Sequence, residues 1–132
     1  MIRKKLKSKI HIAIVTEANV NYKGSITIDT ELMKAADIQE NELVHVNNAT
    51  TGVHWETYAI PGKKGEICLN GAAAYHFKEG DKIHIISYAL FDKKEKHNPT
   101  LIYCDDKNNV LKNLNINKSN FLNTINLNFK VE

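Results

Sequence analysis

The sequence is poor in the residues that build cross-linked or membrane-spanning proteins. It has only two cysteines and two prolines among 132 residues. Cys68 and Cys104 lie in apolar runs without the spacing of a zinc site or a disulfide framework, so we interpret them as buried thiols and expect no metal site. No apolar run approaches the roughly 18 residues that cross a bilayer, and the basic N-terminus lacks the apolar region of a signal peptide. The sequence therefore predicts a cytoplasmic protein without a membrane partner.

The chain also has little excess charge of either sign. Its 18 Lys and Arg residues against 15 Asp and Glu residues give a net charge of +3, which is too small to indicate a nucleic-acid partner. Basic residues crowd the first nine positions as far as Lys9, and we interpret most of them as a solvated terminus. Apolar residues make up 42% of the sequence, enough for the core of a single domain over residues 1–132.

Short alternating segments between turn residues predict strands. They cover residues 10–16, 25–28, 43–47, 53–60, 66–69, 82–90 and 100–104. The clearest helix is Thr30 to Ala36, and Ala72 to Ala74 are expected to open one helical turn. This pattern predicts an all-β domain, a small barrel or sandwich with short helices. We expect a weakly structured tail from about residue 110 to 132, with a terminal strand or a partner contact as alternatives.

The dipeptide Gly24-Ser25 lies where a loop enters the strand at Ile26. Glycine has no Cβ, so Gly24 can adopt backbone angles closed to other residues and leaves its carbonyl open to attack by the Ser25 hydroxyl. An isolated Gly-Ser pair would be an ordinary turn between strands. The surrounding motifs give the pair a second interpretation.

These motifs follow one another in order through most of the chain. They are Met1-Ile2-Arg3, Lys9-Ile10-His11, Tyr22-Lys23-Gly24-Ser25-Ile26-Thr27-Ile28-Asp29, Leu32-Met33-Lys34-Ala35-Ala36, Asn41-Glu42, Thr57-Tyr58-Ala59-Ile60, Asn70-Gly71-Ala72-Ala73-Ala74, and Gly80-Asp81 with Ile85-Ile86-Ser87-Tyr88. Each motif is weak by itself, but their order and spacing over roughly 100 residues argue against chance similarity. The sequence closely resembles the pyruvoyl-dependent aspartate 1-decarboxylases, which make β-alanine for pantothenate synthesis.

The resemblance implies a double-psi β-barrel that assembles as a homotetramer with active sites between subunits. It also implies self-cleavage into a β chain, residues 1–24, and an α chain, residues 25–132, with Ser25 converted to a covalent pyruvoyl group that serves as the cofactor. Some members of the family need a maturation factor. The residues that match the family's functional positions are Gly24, Ser25, Thr57 and Asn70 for cleavage, Tyr58 for proton donation, and Lys9, Thr57, Gly71, Ala72 and Ala73 for binding aspartate.

Simpler interpretations exist for two of these motifs. Thr57-Tyr58 alone would be part of an ordinary half-buried strand. Ala72 to Ala74 alone would be helix packing, which is compatible with a role in substrate binding.

Position 54 departs from the family pattern. The family has an arginine there that pairs with a substrate carboxylate, whereas this chain has His54. Arginine is always charged and binds bidentately, whereas a histidine ordinarily has a pKa of about 6.5 and makes at best one such bond. Either a nearby carboxylate keeps His54 charged, or another cation replaces it, or aspartate binds less tightly near neutral pH. We expect the KM for aspartate to rise with pH through the histidine range.

Two other functions remain open from the sequence. A small basic β-barrel could bind nucleic acid, but the chain lacks interleaved exposed aromatic residues and a strongly basic balance. The second alternative is a pseudoenzyme, or a decarboxylase with another amino-acid substrate, for which His54 is the only motive.

Overall fold

The computed structural model of the chain describes residues 1–22 and 24–115 and shows an all-β fold with short helices. The strands are β1 (Ile2–Ile14), β2 (Glu17–Asn19), β3 (Ile26–Asp29), β4 (Leu43–Asn48), β5 (His54–Gly62), β6 (Ile67–Asn70), β7 (Lys82–Asp92), β8 (Thr100–Cys104) and β9 (Val110–Asn115). Helix α1 covers Thr30–Ala35, and a 3-10 turn covers Gly71–Tyr75. The predicted helix and the predicted helical turn are both confirmed.

The sheet returns on itself. Its strand order is β2-β6-β3-β5-β4-β7-β1-β8-β9, and only Val15 and Thr16 separate β1 from β2 along the chain. The Val15 N–H donates to the carbonyl of Asp81 at 2.9 Å, and the Thr16 N–H donates to that of Ile67 at 2.8 Å. Hydrogen bonding therefore continues from the β1–β7 pair to β6, which closes a barrel-like layer, and β8 and β9 extend the sheet beyond β1.

Apolar side chains from alternate strand positions fill the interior. The fully buried ones include Ile10, Ala13, Ile26, Ile28, Val44, Val46, Ala59, Ile67, Leu69, Ile83, Ile85 and Ile102. Helix α1 adds Leu32 to this core. The helix begins where the Asp29 side chain accepts a hydrogen bond from the Glu31 N–H at 2.7 Å, as an N-cap does. This core fixes β3, β5 and β6, the strands that surround Ser25.

The sequence does not predict strand β2, and β1 and β5 extend beyond their predicted ranges. Strand β1 begins at Ile2 and not after Lys9, because β7 is long enough to pair with its whole length, from Ile2 opposite Asp92 to Ile14 opposite Lys82. Strand β5 continues through Pro61-Gly62, which the sequence indicates as a turn. Its parallel pairing with β3 extends to Gly62, and long-range pairing of this kind leaves no local sequence signal.

Strand β9 pairs antiparallel with β8. For residues 110–115 the structure thus shows the terminal strand, the alternative to a weakly structured segment. The rest of the predicted tail, residues 116–132, lies outside the described residues. Among the helices of the described part of the chain, none has the length and apolar character needed to cross a membrane.

Candidate active site

The Gly24-Ser25 bond has a backbone conformation that most residues avoid. The φ angle is 78° at Gly24 and 81° at Ser25. Glycine adopts such angles freely, but for serine they cost about 1–3 kcal/mol. Ser25 is also only 2% exposed. A strained, buried serine at the entrance to β3 has to be held by its neighbours, which makes this bond the candidate reaction site.

Asn70 holds Ser25 through both its backbone and its side chain. The Asn70 N–H donates to the Ser25 carbonyl oxygen at 3.0 Å, and Asn70 Nδ2 donates to Ser25 Oγ at 3.1 Å. The same amide nitrogen donates to Thr27 Oγ1 at 3.0 Å. Because β6 and β3 pair antiparallel, with Leu69 opposite Ile26, these contacts follow from strand register. Asn70 therefore fixes the orientation of the serine hydroxyl.

Cys68 orients Asn70. Its Sγ lies 3.1 Å from Asn70 Oδ1, and since an amide oxygen can only accept, the thiol is the donor. Burial, with help from the nearby Glu17 and Glu66 carboxylates, raises the pKa of Cys68 to about 11, so the thiol keeps its proton at neutral pH. The sequence indicates only a buried thiol here. The spacing of Cys68 and Asn70 could have predicted their contact, because residues i and i+2 of a strand share a face.

Gly71 makes room for the loop that carries Gly24 and Ser25, which we call the cleavage loop after the predicted reaction. A Cβ at Gly71 would lie 2.7 Å from the nitrogen and 2.8 Å from the Cα of Gly24, distances at which atoms overlap. The φ of Gly71 is also positive, at 66°. The family resemblance implies that Gly71 binds substrate. In the structure, the lack of a side chain at Gly71 lets the backbone at Gly24 pack against it.

The alanines after Gly71 differ in their surroundings. Ala73 is 2% exposed and packs in the core, which agrees with the simpler interpretation as helix packing. Ala72 is exposed. A substrate could therefore reach the side chain of Ala72 but not that of Ala73.

Thr57 and Tyr58 lie on β5 beside the cleavage loop. Strands β3 and β5 run parallel, with Ile26 opposite Ala59. Because the strands are parallel, the residues that precede Ile26 and those that precede Ala59 lie at the same end of the strand pair. Ser25 is therefore at the same end as Tyr58 and Thr57. Thr57 is half-buried, whereas Tyr58 is 40% exposed, as expected for neighbours that point to opposite faces of a strand.

The two predicted cations lie elsewhere on the sheet. Lys9 is in β1, where burial lowers its pKa, and His54 is exposed on β5 with its Nδ1 2.6 Å from Asn47 Oδ1. Within residues 1–22 and 24–115, no hydrogen bond or ion pair joins either cation to Ser25 or Asn70. Within the described part of a single chain, the two residues predicted to bind the substrate carboxylates thus make no such contact with Ser25 or Asn70.

Two histidines beside Lys9 are neutral. The rings of His11 and His84 stack with their centroids 4.2 Å apart, and His84 Nδ1 accepts a hydrogen bond from the Ile12 N–H at 3.2 Å. Burial, together with His84 and Lys9, lowers the pKa of His11 to about 3. Burial and Lys9 lower the pKa of His84 to about 4. The two histidines therefore add no positive charge beside Lys9 at neutral pH.

An open cavity of about 430 Å³ lies next to Asn70 and Cys68. Its charged lining residues are Glu17, Glu66 and Lys63. A lining with two carboxylates and one cation does not favour the binding of a dicarboxylate such as aspartate, because the carboxylates repel it. Lys9 and His54 are not among its lining residues, so this cavity by itself is a poor binding site for such a substrate.

Comparisons with known proteins agree with the motifs. The sequence profile of the family described as aspartate decarboxylase matches residues 1–111. The chain is 54% identical over 109 residues to the aspartate 1-decarboxylase of Heliobacterium modesticaldum, which covers 80% of this chain and 83% of that protein. It is 56% identical over 111 residues to the aspartate 1-decarboxylase of Caldicellulosiruptor bescii, with 81% and 87% covered. The chain therefore belongs to the aspartate decarboxylase family.

Proposed function

We propose that this protein cleaves itself between Gly24 and Ser25 and then decarboxylates L-aspartate to β-alanine with a pyruvoyl group derived from Ser25. The observation that carries the proposal is the strained, buried Ser25, held by Asn70 at its carbonyl and at its hydroxyl. The relatives named aspartate 1-decarboxylase support the substrate. By resemblance to the family, the product would serve pantothenate synthesis.

Cleavage uses the protein's own atoms. Ser25 Oγ attacks the Gly24 carbonyl carbon, the amide C–N bond breaks, and the freed nitrogen takes up a proton, which leaves an ester. Loss of the Ser25 Cα proton expels the Gly24 carboxylate, and hydrolysis then releases ammonia and leaves the pyruvoyl group at the start of the α chain. Asn70 holds the hydroxyl in place, and the Thr57 hydroxyl is the proposed donor to the oxyanion of the first step.

The surroundings of Ser25 fit such a group. The position is buried, and the Asn70 N–H already donates to the carbonyl that would become part of it. The pyruvoyl ketone supplies an acceptor for the electrons released when carbon dioxide leaves. Tyr58 provides a phenol for the protonation step, and Lys9 and His54 provide positive charge for the carboxylates of aspartate.

Two observations support active sites shared between subunits. The predicted cations are not joined to Ser25 within one chain, and an apolar patch is exposed on the outer face of the sheet. Leu43 and Tyr58 face each other across β4 and β5; they are 54% and 40% exposed, and Tyr88 on β7 is 40% exposed. Exposed apolar patches of this kind mark contact surfaces. We therefore include a homotetramer in the proposal, in which a neighbouring chain supplies the missing cations.

The expected location is the cytoplasm. Cys68 and Cys104 are both free and buried, which suits a reducing compartment.

Intact-protein mass spectrometry tests the cleavage. We expect two fragments that part between Gly24 and Ser25, the larger one lighter by an ammonia than a peptide that starts with serine. Ser25→Ala should remain a single, inactive chain. Ser8→Ala is the matched control, because Ser8 is also a buried serine, 1% exposed, and this variant should be cleaved normally.

The outcome that contradicts the proposal is equally clear. A wild-type chain that stays uncleaved after incubation with extract of its own host, and that shows no turnover of aspartate, would overturn it. Cleavage only in the presence of the extract would identify a need for a maturation factor. Turnover of glutamate in place of aspartate would keep the cleavage and correct the substrate.

A further inference from the structure

His45, His54 and Glu56 converge on the outer face of β4 and β5. One potential ligand atom from each lies within 4.8 Å of the other two. His45 Nε2 is 3.3 Å from Glu56 Oε1, and the ring centroids of His45 and His54 are 5.3 Å apart. The antiparallel register produces this cluster, because it places His45 opposite Glu56 and Asn47 opposite His54.

Neighbouring side chains restrain both histidine rings. The 2.6 Å contact between His54 Nδ1 and Asn47 Oδ1 requires the proton on Nδ1, since an amide oxygen only accepts. The lone pair of neutral His54 is then on Nε2. The ring of His45 packs edge-on against Tyr88, with centroids 5.0 Å apart. A polar partner on the second nitrogen of a histidine is what orients this residue as a metal ligand.

We propose that His45, His54 and Glu56 form a binding site for a divalent transition-metal ion of the zinc class. Two imidazoles and one carboxylate are a ligand set that zinc accepts together with a water molecule. Metal–ligand bonds of about 2.0–2.1 Å in a tetrahedron place neighbouring ligand atoms roughly 3.3–3.4 Å apart, close to the 3.3 Å between His45 Nε2 and Glu56 Oε1. In the single chain the Glu56 side chain is 56% exposed, so an ion can reach the site there.

Metal binding would have a consequence for the reaction, which rests on the proposed function. An ion on His54 Nε2 occupies the nitrogen that would otherwise bind a substrate carboxylate. Zinc should therefore raise the KM for aspartate, while zinc binding itself does not depend on whether the protein is a decarboxylase.

The test is a zinc titration of the untagged, processed protein with a competing chelator dye. We expect one zinc ion per chain, bound at least tenfold more weakly in His45→Gln and in Glu56→Gln. Asn47→Ala should weaken binding by roughly tenfold through loss of the contact that orients His54. His97→Gln is the matched control, because it removes an imidazole that contacts the ring of Phe91 and not this cluster. Thermal melting of each variant checks that it is folded.

The outcomes separate the metal site from the proposed function. Zinc affinity that stays the same in His45→Gln and Glu56→Gln overturns the site, whatever the activity of the protein. A second outcome is that zinc binds as expected and raises the KM of the wild type but not that of His45→Gln at the same free zinc concentration. This outcome supports both the metal site and the role of His54 as a carboxylate ligand. Zinc that binds as expected and leaves the KM unchanged supports the metal site and overturns the role of His54 as a carboxylate ligand.

Discussion

The cleavage loop and the outer face of β4 and β5 are opposite kinds of site. At the loop, Ser25 and Asn70 are buried at 2% and 3% exposure, and Ser25 is held by hydrogen bonds from Asn70. On the outer face, His54, Glu56 and Tyr58 are exposed. The loop is assembled within one chain, whereas the outer face presents its ligand groups at the surface of the single chain.

This difference matches the chemistry proposed for each region. Self-cleavage is a reaction within one chain, so its groups have to be in place before any substrate or partner arrives. Binding of a substrate or a metal ion needs groups that remain accessible. The following variants test whether the two regions are as separate as their surroundings indicate.

Gly71→Ala should cause the largest effect, and only at the cleavage loop. The new Cβ would overlap the backbone of Gly24, and a displacement of about 1 Å at a reacting group costs on the order of 100-fold in rate. We therefore expect cleavage to slow by about that factor, measured as the fraction of intact chain against time.

Gly52→Ala is the matched control. Gly52 has a positive φ of 85° but nothing within 4 Å of an added Cβ, so this variant carries the backbone strain without the overlap. If both variants were cleaved equally fast, contact between Gly71 and the loop would not matter for the reaction.

His54→Arg should act only on the outer face. Arginine keeps its charge at all pH values used and binds a carboxylate bidentately, which an imidazole does not. With a metal chelator present, we expect the KM of the wild type to rise between pH 6 and pH 8, and the KM of the variant to stay flat. An arginine at this position can make a second charge-assisted hydrogen bond to the substrate carboxylate. We therefore expect the KM of the variant at pH 8 to be about tenfold lower than that of the wild type.

A flat KM in the wild type would argue against His54 as a carboxylate ligand. The rate of self-cleavage gives a second readout, because it should be the same in both proteins. A slower cleavage of His54→Arg would show that the two regions are coupled.

Cys68→Ala should have a smaller effect at the loop. It removes the donor to Asn70 Oδ1, and the loss of one weak hydrogen bond costs roughly 0.5–1 kcal/mol, or about two- to fivefold in the rate of cleavage. Cys68→Ser keeps a donor and should restore most of the rate. A structural role alone would lower the melting temperature without this rescue.

Cys104→Ser is the control, because Cys104 is a buried thiol in the core. It should leave the rate of cleavage unchanged even where it lowers stability.

The smallest effect concerns acid stability and involves neither region directly. The pKa values of His11 and His84 are lowered in the folded protein, to about 3 and about 4, so the unfolded chain binds more protons below pH 6.5. The stability that neutral histidines contribute is therefore complete above pH 6.5 and is lost as the pH falls towards 3. We expect the melting temperature to drop by about 3 °C or more between pH 7 and pH 5.

The double variant His11→Gln/His84→Gln should show a shallower drop over the same range. His97→Gln should keep the wild-type slope. Equal slopes in all three proteins would mean that carboxylates, and not this stacked pair, dominate the acid response.

Local patterns predicted most elements but not their long-range contacts. The alternation of Ile10, Ile12 and Ile14 identified part of β1, yet not its start at Ile2, which depends on the length of β7. Pro61-Gly62 has the composition of a turn, but pairing with β3 keeps it in a strand. Such pairing is decided by partners distant in sequence, so a local window does not contain it.

The sequence by itself determined the family, the all-β class, and the positions of Gly24, Ser25 and Asn70 along the chain. Only the tertiary structure decided that Ser25 has a positive φ, that Asn70 donates to its hydroxyl, and that Gly71 packs against Gly24. It also decided that His45, His54 and Glu56 meet. The physical reason is the same throughout: composition and periodicity define strands, but the register between strands determines which side chains come into contact.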